Sequence, residues 1–407
     1  MQNLLSGMRI IEGSAFVAAP SGGMTLAQLG ADVIRFDPIG GGIDYRRWPI
    51  TADGKSLYWH SLNKGKRSIA VDFRKPEGQE LLTRLIASPD DGAGHFLTNF
   101  PAKGWMSYEQ LREQRNDLIY LNLVGDRHGR SALDYTVNCK VGFPSITGTG
   151  ENGGSQPLNN PLPAWDVITG QQIALGLLAA ERHRTKTGQG QLVKVSLADV
   201  ALATLGNLGF IAEMMINGTD REAIGNHIYG TYGHDFVCQD GERVMVVGVS
   251  PNQWRAIVEV TGTSRLLGEL EQRLGLDFHY EGDRYRGRDE ITEILQPWFD
   301  RRPFSRVAAE LDNAGVCWGK YQSIRETVET DMDCSEDNPL FQRVHQPGIG
   351  EYLMPDHPLR FTAVEREAVG RAPMLGEHTE QILADTLGLS DAEIGQLFDR
   401  KIVAAAN

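Results

Sequence analysis

Over its first 125 residues the chain alternates short apolar runs with amphipathic ones. The runs 8–13, 31–37, 66–73, 94–100 and 118–125 are rich in Ile, Val, Leu and Phe and read as β-strands. Between them 23–29, 76–87 and 108–114 read as helices, with Pro76 suited to a first helical turn and Gly30 to a helix stop. This alternation predicts parallel strands joined by crossover helices. Further on, Ile168, Ile173, Leu177, Leu178 and Ala180 recur at helical spacing, and Thr185-Lys186-Thr187-Gly188-Gln189-Gly190 punctuates the end, so a helix is predicted over about 167–184. A strand over 191–197 and an apolar helix over 198–216 follow. The pattern then breaks: 225–241 is dense in Gly, His, Tyr and Asp, as expected of a crossing between domains. A hairpin at Gln239-Asp240-Gly241 and helices over 251–260 and 289–299 outline a smaller unit. The expected architecture is α/β, with a large Rossmann-like domain carrying a parallel sheet (1–225, with 326–407 returning to it) and a smaller α+β domain (226–325).

Composition narrows the class of protein. With 407 residues, 41% of them hydrophobic, the chain can bury a core large enough for two domains. The start MQNLLSGMRIIEG lacks a basic segment followed by an apolar one, and the apolar stretch 201–216 is interrupted by Asn207 and Glu213, so neither secretion nor a membrane span is expected. Cys139, Cys238, Cys317 and Cys334 lie far apart with no CxxC pair, which argues against a zinc or redox motif and fits free thiols in a reducing cytoplasm. A net charge of −13 disfavours nucleic acid as a partner. Locally the balance reverses: Arg46, Arg47, Lys55, Lys64, Lys66, Arg67, Arg74 and Lys75 face only Asp53 and Asp72. That segment is either a docking place for a small polyanion or a solvated face. The opening βαβ unit carries Ala18-Ala19-Pro20-Ser21-Gly22-Gly23 where a GxGxxG fingerprint would stand, so a nicotinamide or flavin cofactor is not expected. No GxSxG elbow marks a serine hydrolase either.

The candidate chemistry centres on Asp166 in PAWDVITG, one acidic side chain at the first turn of an apolar helix. On capping preference alone it reads as a helix cap. As a carboxylate near unpaired N–H groups and the positive end of the helix dipole, it is also a candidate nucleophile held ionised at neutral pH.

The stretch WDVITGQQIALGLLAAERHRTKTGQGQLVKVSL resembles the corresponding segment of the class III CoA-transferases, the formyl-CoA and carnitine-CoA transferase family. The resemblance extends to AQLGADVIRFDPIGGG, LNKGKRSIAVDFRKPEGQELL, TNFPAKGW, LIYLNLVG and APMLGEHTEQIL, and so spans nearly the whole chain. It implies that Asp166 is the nucleophile, forming first a mixed anhydride and then an aspartyl-CoA thioester. It also implies that Val17, Ala18, Lys66, Arg67, Asn99, Phe100 and Lys103 contact CoA, with Lys and Arg on phosphates and Phe100 against the adenine unless it merely fills the core. No metal and no cofactor beyond the CoA carried by an acyl-CoA substrate is implied. The family's architecture implies an interlocked homodimer. EGSAFVAAPSGG, PLPAWDVITGQ, DYTVN and QPGIGEYLMP are most similar to members that move CoA between the two carboxyls of one dicarboxylate. Two features depart from the family: Pro38 stands where many members carry Arg, and a GGGGQ-like loop has no counterpart. Oxyanion donors are expected from Ala15–Ala19 or from 225–233, and Asn226, His227, Tyr229, Tyr232 and His234 are candidates to close over a dicarboxylate.

Overall fold

The computed structural model describes residues 3–149 and 156–406. Six parallel strands, β1 (Arg9–Gly13), β2 (Asp32–Asp37), β3 (Arg67–Val71), β4 (His95–Thr98), β5 (Ile119–Val124) and β6 (Gln191–Ser196), form one sheet in the order β3-β2-β1-β4-β5-β6. The short strand Val403–Ala404 pairs antiparallel with the outer edge of β3 and completes seven strands. The inner strands are apolar on both faces because both faces are covered. On one side Ile10, Val33, Leu97, Ile119 and Leu121 pack with helices α1 (Ala18–Gln28) and Ala164–Thr187; on the other Ile34, Phe36, Ile69 and Phe96 pack with Pro76–Ile86, Thr379–Asp385 and Asp391–Asp399. The fold is therefore the expected α/β architecture.

The strand order has a functional consequence. Successive connections run outward from β1 in one direction to β2 and β3, then in the other to β4, β5 and β6. At such a reversal the loops leaving adjacent strands part, and a crevice opens at the carboxyl ends, here beyond Gly13 of β1 and Thr98 of β4.

Two helices differ from expectation. Helix α1 starts at Ala18, five residues before the predicted Gly23, and runs through Gly22 and Gly23 despite their poor propensity. Packing requires those glycines: a Cβ on Gly22 would stand 2.7 Å from Ile173 Cγ2 and 2.9 Å from the Gly170 carbonyl, and one on Gly23 would strike Glu12. The helix predicted over 198–216 is two helices, Leu197–Asn207 and Phe210–Asn217, bent by 59° where Gly209 takes φ +84°. Among the described residues no single helix is long and apolar enough to cross a membrane.

The chain divides into two compact units. One is Met1–Val141, Pro161–Ile216 and Met332–Asn407, which holds the seven-stranded sheet; the other is Gly142–Asn160 and Asn217–Asp331. In the second, strands Tyr232–Val237, Arg243–Gly248 and Cys317–Lys320 form an antiparallel sheet whose first turn lies at the predicted Gln239–Gly241. Phe236, Val244, Val246, Trp254, Leu295 and Phe299 form its core with the surrounding helices.

Candidate active site

Helix α2 (Ala164–Thr187) brings Asp166 to the sheet's carboxyl end. It lies so close to α1 that only glycine fits at the crossing. A Cβ on Gly170 would stand 2.1 Å from Ser21 Oγ and 3.0 Å from the Ala18 carbonyl. Because Ala18 faces Gly170 and Gly22 faces Ile173, the two helices run in the same direction and their N-termini lie side by side. Asp166, one turn before Gly170, thus stands beside the start of α1.

Asp166 is not the cap of its helix. Pro163 occupies the cap position without a side-chain bond, and the exposed N–H groups are satisfied from another element, the helix Asp134–Lys140. Asp134 Oδ2 accepts the Asp166 N–H at 3.0 Å and Asp134 also accepts from Trp165, while Asn138 Oδ1 accepts Trp165 Nε1 at 3.1 Å. The carboxylate that draws on the helix N-terminus is therefore Asp134, and Asp166 keeps its oxygens free of that duty. This changes its acidity. Burial, reinforced by the charge of Asp134 and opposed by Arg47, pushes the Asp166 carboxyl up to about 7. The expectation that the helix end keeps Asp166 fully ionised at neutral pH is corrected: half-burial beside a second carboxylate outweighs the dipole.

Asp166 lines a cavity of about 510 Å³ together with Phe16, Val17, Ala18, Asn99 and Phe100, and with residues from 122–125 and 129–133. The loop Ala15–Val17 is held from two sides. The Asn99 side chain accepts the Ala15 N–H at 3.0 Å and donates to the Ala15 carbonyl at 2.8 Å. The Phe16 N–H is bound by Asp44 Oδ2 at 3.0 Å, and Phe16 adopts φ +69°, a left-handed conformation that a bulky residue keeps only when its surroundings enforce it. The N–H groups of Ala15 and Phe16 are thereby occupied, so the oxyanion donors left within 15–19 are those opening α1. Its N-cap Val17 has no side-chain hydrogen bond, and the first-turn N–H groups of Ala18 and Ala19 have no intrahelical acceptor.

The predicted CoA contacts fall into two sets. Val17, Ala18, Asn99 and Phe100 come together in the cavity, and Lys103 lies exposed just past its lining residues Pro101 and Ala102. Asn99, however, spends both ends of its amide on Ala15. Phe100 packs tilted against Phe73 at 6.5 Å between ring centres, which leaves an aromatic platform at the cavity edge. The structure gives Lys66 and Arg67 other places. Lys66 is buried, and its ammonium donates to Glu12 at 2.8 Å, the Pro20 carbonyl at 2.8 Å and Asn63 at 2.9 Å, so all three donors are used inside the protein. Burial also pushes it down to about 8. Arg67 begins β3 at the opposite, amino end of the sheet, where its fork closes on Asp32 at 2.8 and 2.6 Å. The phosphate role expected of these two is corrected accordingly: the basic run is legible, but its central members are internal partners. A cation that sequence reasoning passed over, Arg130, lines the cavity instead, paired with Asp126 at 2.6 Å. Its signal was the basic loop GDRHGRS directly after a strand.

Most of the polar group expected to close over a dicarboxylate finds partners within the second unit, although His227 Nδ1 is buried without a hydrogen-bond partner among the described residues. His227 pairs with Asp289 at 3.2 Å and packs on His234, Asn226 donates to Asp235 at 3.0 Å, and buried Tyr232 bonds Thr292 at 3.0 Å. Among the described residues no cluster of His, Cys, Asp and Glu is placed to hold a metal ion.

A sequence model of CoA-transferase family III matches residues 5–379 of the chain. The chain is 58% identical over 405 residues to 2-methylfumaryl-CoA isomerase of Chloroflexus aurantiacus, covering 99% of this chain and 98% of that one. It is 30% identical to succinate–glutarate CoA-transferase of Agrobacterium fabrum, covering 94% and 95% of the two chains. Among solved structures, a CAIB/BAIF family protein from Brucella suis superposes with a TM-score of 0.76 at 26% identity, covering 95% of this chain and all of that one.

Proposed function

The chain belongs to CoA-transferase family III, a family of enzymes, and from that premise we propose that it isomerises 2-methylfumaryl-CoA (mesaconyl-CoA) by moving CoA from the carbon-1 to the carbon-4 carboxyl of the same diacid. The observation that carries the reading is the half-buried Asp166 carboxylate at two adjoining helix N-termini in the switch-point cavity. The near-full-length identity of 58% to 2-methylfumaryl-CoA isomerase supplies the substrate.

The chemistry is four acyl transfers. Asp166 attacks the thioester carbonyl and expels CoA thiolate, leaving a mixed anhydride. The thiolate attacks the Asp166 carbonyl, and the diacid leaves as a free dicarboxylate, so the thioester now rests on Asp166. The diacid's other carboxylate then attacks that thioester, and the returning thiolate attacks the new acyl carbonyl, releasing carbon-4 thioester and free Asp166. Each tetrahedral oxyanion needs preorganised donors, for which the first-turn N–H groups of α1 are placed. Val17, Ala18 and the Phe100 platform would hold the CoA arm and adenine, with Lys103 and Arg130 as cations for its phosphates.

Holding the diacid beside aspartyl-CoA keeps the acceptor at high effective concentration. With unlabelled 2-methylfumaryl-CoA in excess carbon-13 2-methylfumarate, product should form without added acid and carry little label. Rapid label incorporation would instead identify an intermolecular transferase between dicarboxylates.

Asp166 must be ionised to attack, so activity is expected to rise with pH through about 7. Asp134→Asn keeps an acceptor for the Asp166 N–H but removes the like charge that raises Asp166. The acid limb of kcat/KM should therefore move to lower pH; an unmoved limb would dissociate Asp134 from the nucleophile's acidity.

We also propose that the working form is an interlocked homodimer in the cytoplasm. Leu208, Ile211, Met214, Met215 and Ile216 stand exposed along the bent pair Leu197–Asn207 and Phe210–Asn217, more contiguous apolar surface than a monomer usually leaves open. Light scattering should return twice the chain mass, and Met215→Glu should lower it. A monomeric, fully active wild type would contradict the assignment.

A further inference from the structure

The loop from β2 toward the helix Leu57–Leu62 places a cation beside the nucleophile. The backbone of Arg47 is fixed at both ends, its N–H bonded to the Asp44 carbonyl at 3.0 Å and its carbonyl accepting Ser56 Oγ at 2.5 Å. Its guanidinium lies over two rings, 5.4 Å from the centre of Phe16 and 5.1 Å from that of Tyr58. Phe16 lines the cavity with Asp166, and the Arg47 charge is felt at the Asp166 carboxylate. Among the described residues Arg47 forms no ion pair with a carboxylate, although the neighbouring Arg35 is enclosed by Asp37, Asp44 and Glu12. Beneath it Tyr58 Oη is buried without a hydrogen-bond partner among the described residues. Arg47 is exposed to solvent, so its N–H edge, on a guanidinium seated against two aromatic faces beside the Tyr58 hydroxyl, is open to an anion arriving from solution.

We propose that Arg47, backed by Tyr58 Oη, receives the second carboxylate of the dicarboxylate substrate, the one bonded at that moment neither to CoA nor to Asp166. The assignment rests on the proposed function and deepens it. In both CoA thioesters and both anhydrides one carboxyl is covalently engaged and the other is a free anion, and in the aspartyl-CoA state both are free; an anion brought beside the Asp166 carboxyl is disfavoured unless a cation meets it. CoA phosphates are a poorer match, because the pantetheine arm holds them far from the thioester. The two carboxylates of 2-methylfumarate point in opposite directions, so a cation at one end and a nucleophile at the other suit its length. When the diacid turns end for end between half-reactions, the carboxylate freed from Asp166 takes the place at Arg47 that its twin has left. One cation thus serves both regioisomers and keeps the diacid from escaping.

The test compares ligands that differ by that carboxylate. For Arg47→Gln, the KM for 2-methylfumaryl-CoA should rise about tenfold or more, while the inhibition constant of crotonyl-CoA, which lacks the second carboxylate, should stay within about twofold of wild type. Arg47→Lys should fall between, and Tyr58→Phe should raise the same ratio by a smaller factor; these two decide the matter if Arg47→Gln does not fold. An unchanged KM, or equal weakening of both ligands, would overturn the assignment and leave Arg47 as a brace for Phe16. If wild type fails to isomerise 2-methylfumaryl-CoA, the functional reading falls by itself. Direct binding of succinyl-CoA and of butanoyl-CoA, measured by calorimetry, then still scores Arg47: the preference for succinyl-CoA should be lost in Arg47→Gln, and an unchanged preference would overturn the assignment.

Discussion

Asp166→Ala and Asp166→Asn are expected to lower kcat at least about a thousandfold, because among the described residues lining the cavity Asp166 is the one carboxylate that can carry the acyl and thioester intermediates. Hydroxylamine added during wild-type turnover should modify the peptide containing Asp166 and should leave the variants unmodified. Folding should survive the change. Asp166 lies half-buried against a second carboxylate that raises its pKa, so replacing it with neutral Asn relieves repulsion and is expected to hold or raise Tm. Loss of turnover with an intact melting curve therefore separates chemistry from structure. Substantial residual activity in Asp166→Ala would move the nucleophile elsewhere.

Lys66→Ala is expected to act on stability and not on CoA affinity. Lys66 sits with Glu12, both fully shielded from water, in a network that also takes in Arg35, Asp37, Asp44 and Asn63. Removing one partner of a buried pair strands the other charge, at a cost of about 3–5 kcal/mol. Denaturant midpoint and Tm should fall by the corresponding amount, with the KM of whatever folds little changed. The double variant Lys66→Met, Glu12→Gln should recover part of the loss, since it removes both charges together. If Lys66→Ala were as stable as wild type and bound CoA esters weakly, Lys66 would be a phosphate ligand after all. The network also matters for the site. Asp44 belongs to it and holds the Phe16 N–H, so the left-handed turn that points Phe16 into the cavity is anchored in the ionic core.

The elements that periodicity located well are those whose environment is uniform along their length. β1 through β5 are buried on both faces and lie within a residue or two of the predicted runs, and Tyr108–Gln114 begins and ends where predicted. Where a neighbour decides, local signals mislead. The glycines at 22 and 23 lower helix propensity and shifted the expected start of α1, yet Gly22 is what lets α1 lie against α2 and Gly23 is what leaves room for the Glu12 side chain of β1. Gly209, inside an apolar run that otherwise reads as one helix, turns the chain.

The candidate site divides in the same way. Asp166 is visible in sequence because a lone acidic residue at the head of an apolar helix, within a resembled segment, is distinctive. Its true partner Asp134 lies 32 residues earlier and is reached only through the fold. A sequence records that Lys66 and Arg67 are basic; it cannot record that Glu12 and Asp32 consume those charges, since ion pairing depends on which strands are adjacent. The chain by itself determined the alternation of strands and helices, which follows from local pattern, and, through the resembled segments, the family and the candidate nucleophile Asp166. Tertiary structure alone decided which carboxylate caps the helix, how acidic Asp166 is, which backbone donors remain open and which arginine lies near Asp166, because each depends on desolvation and on contacts between residues far apart in the chain.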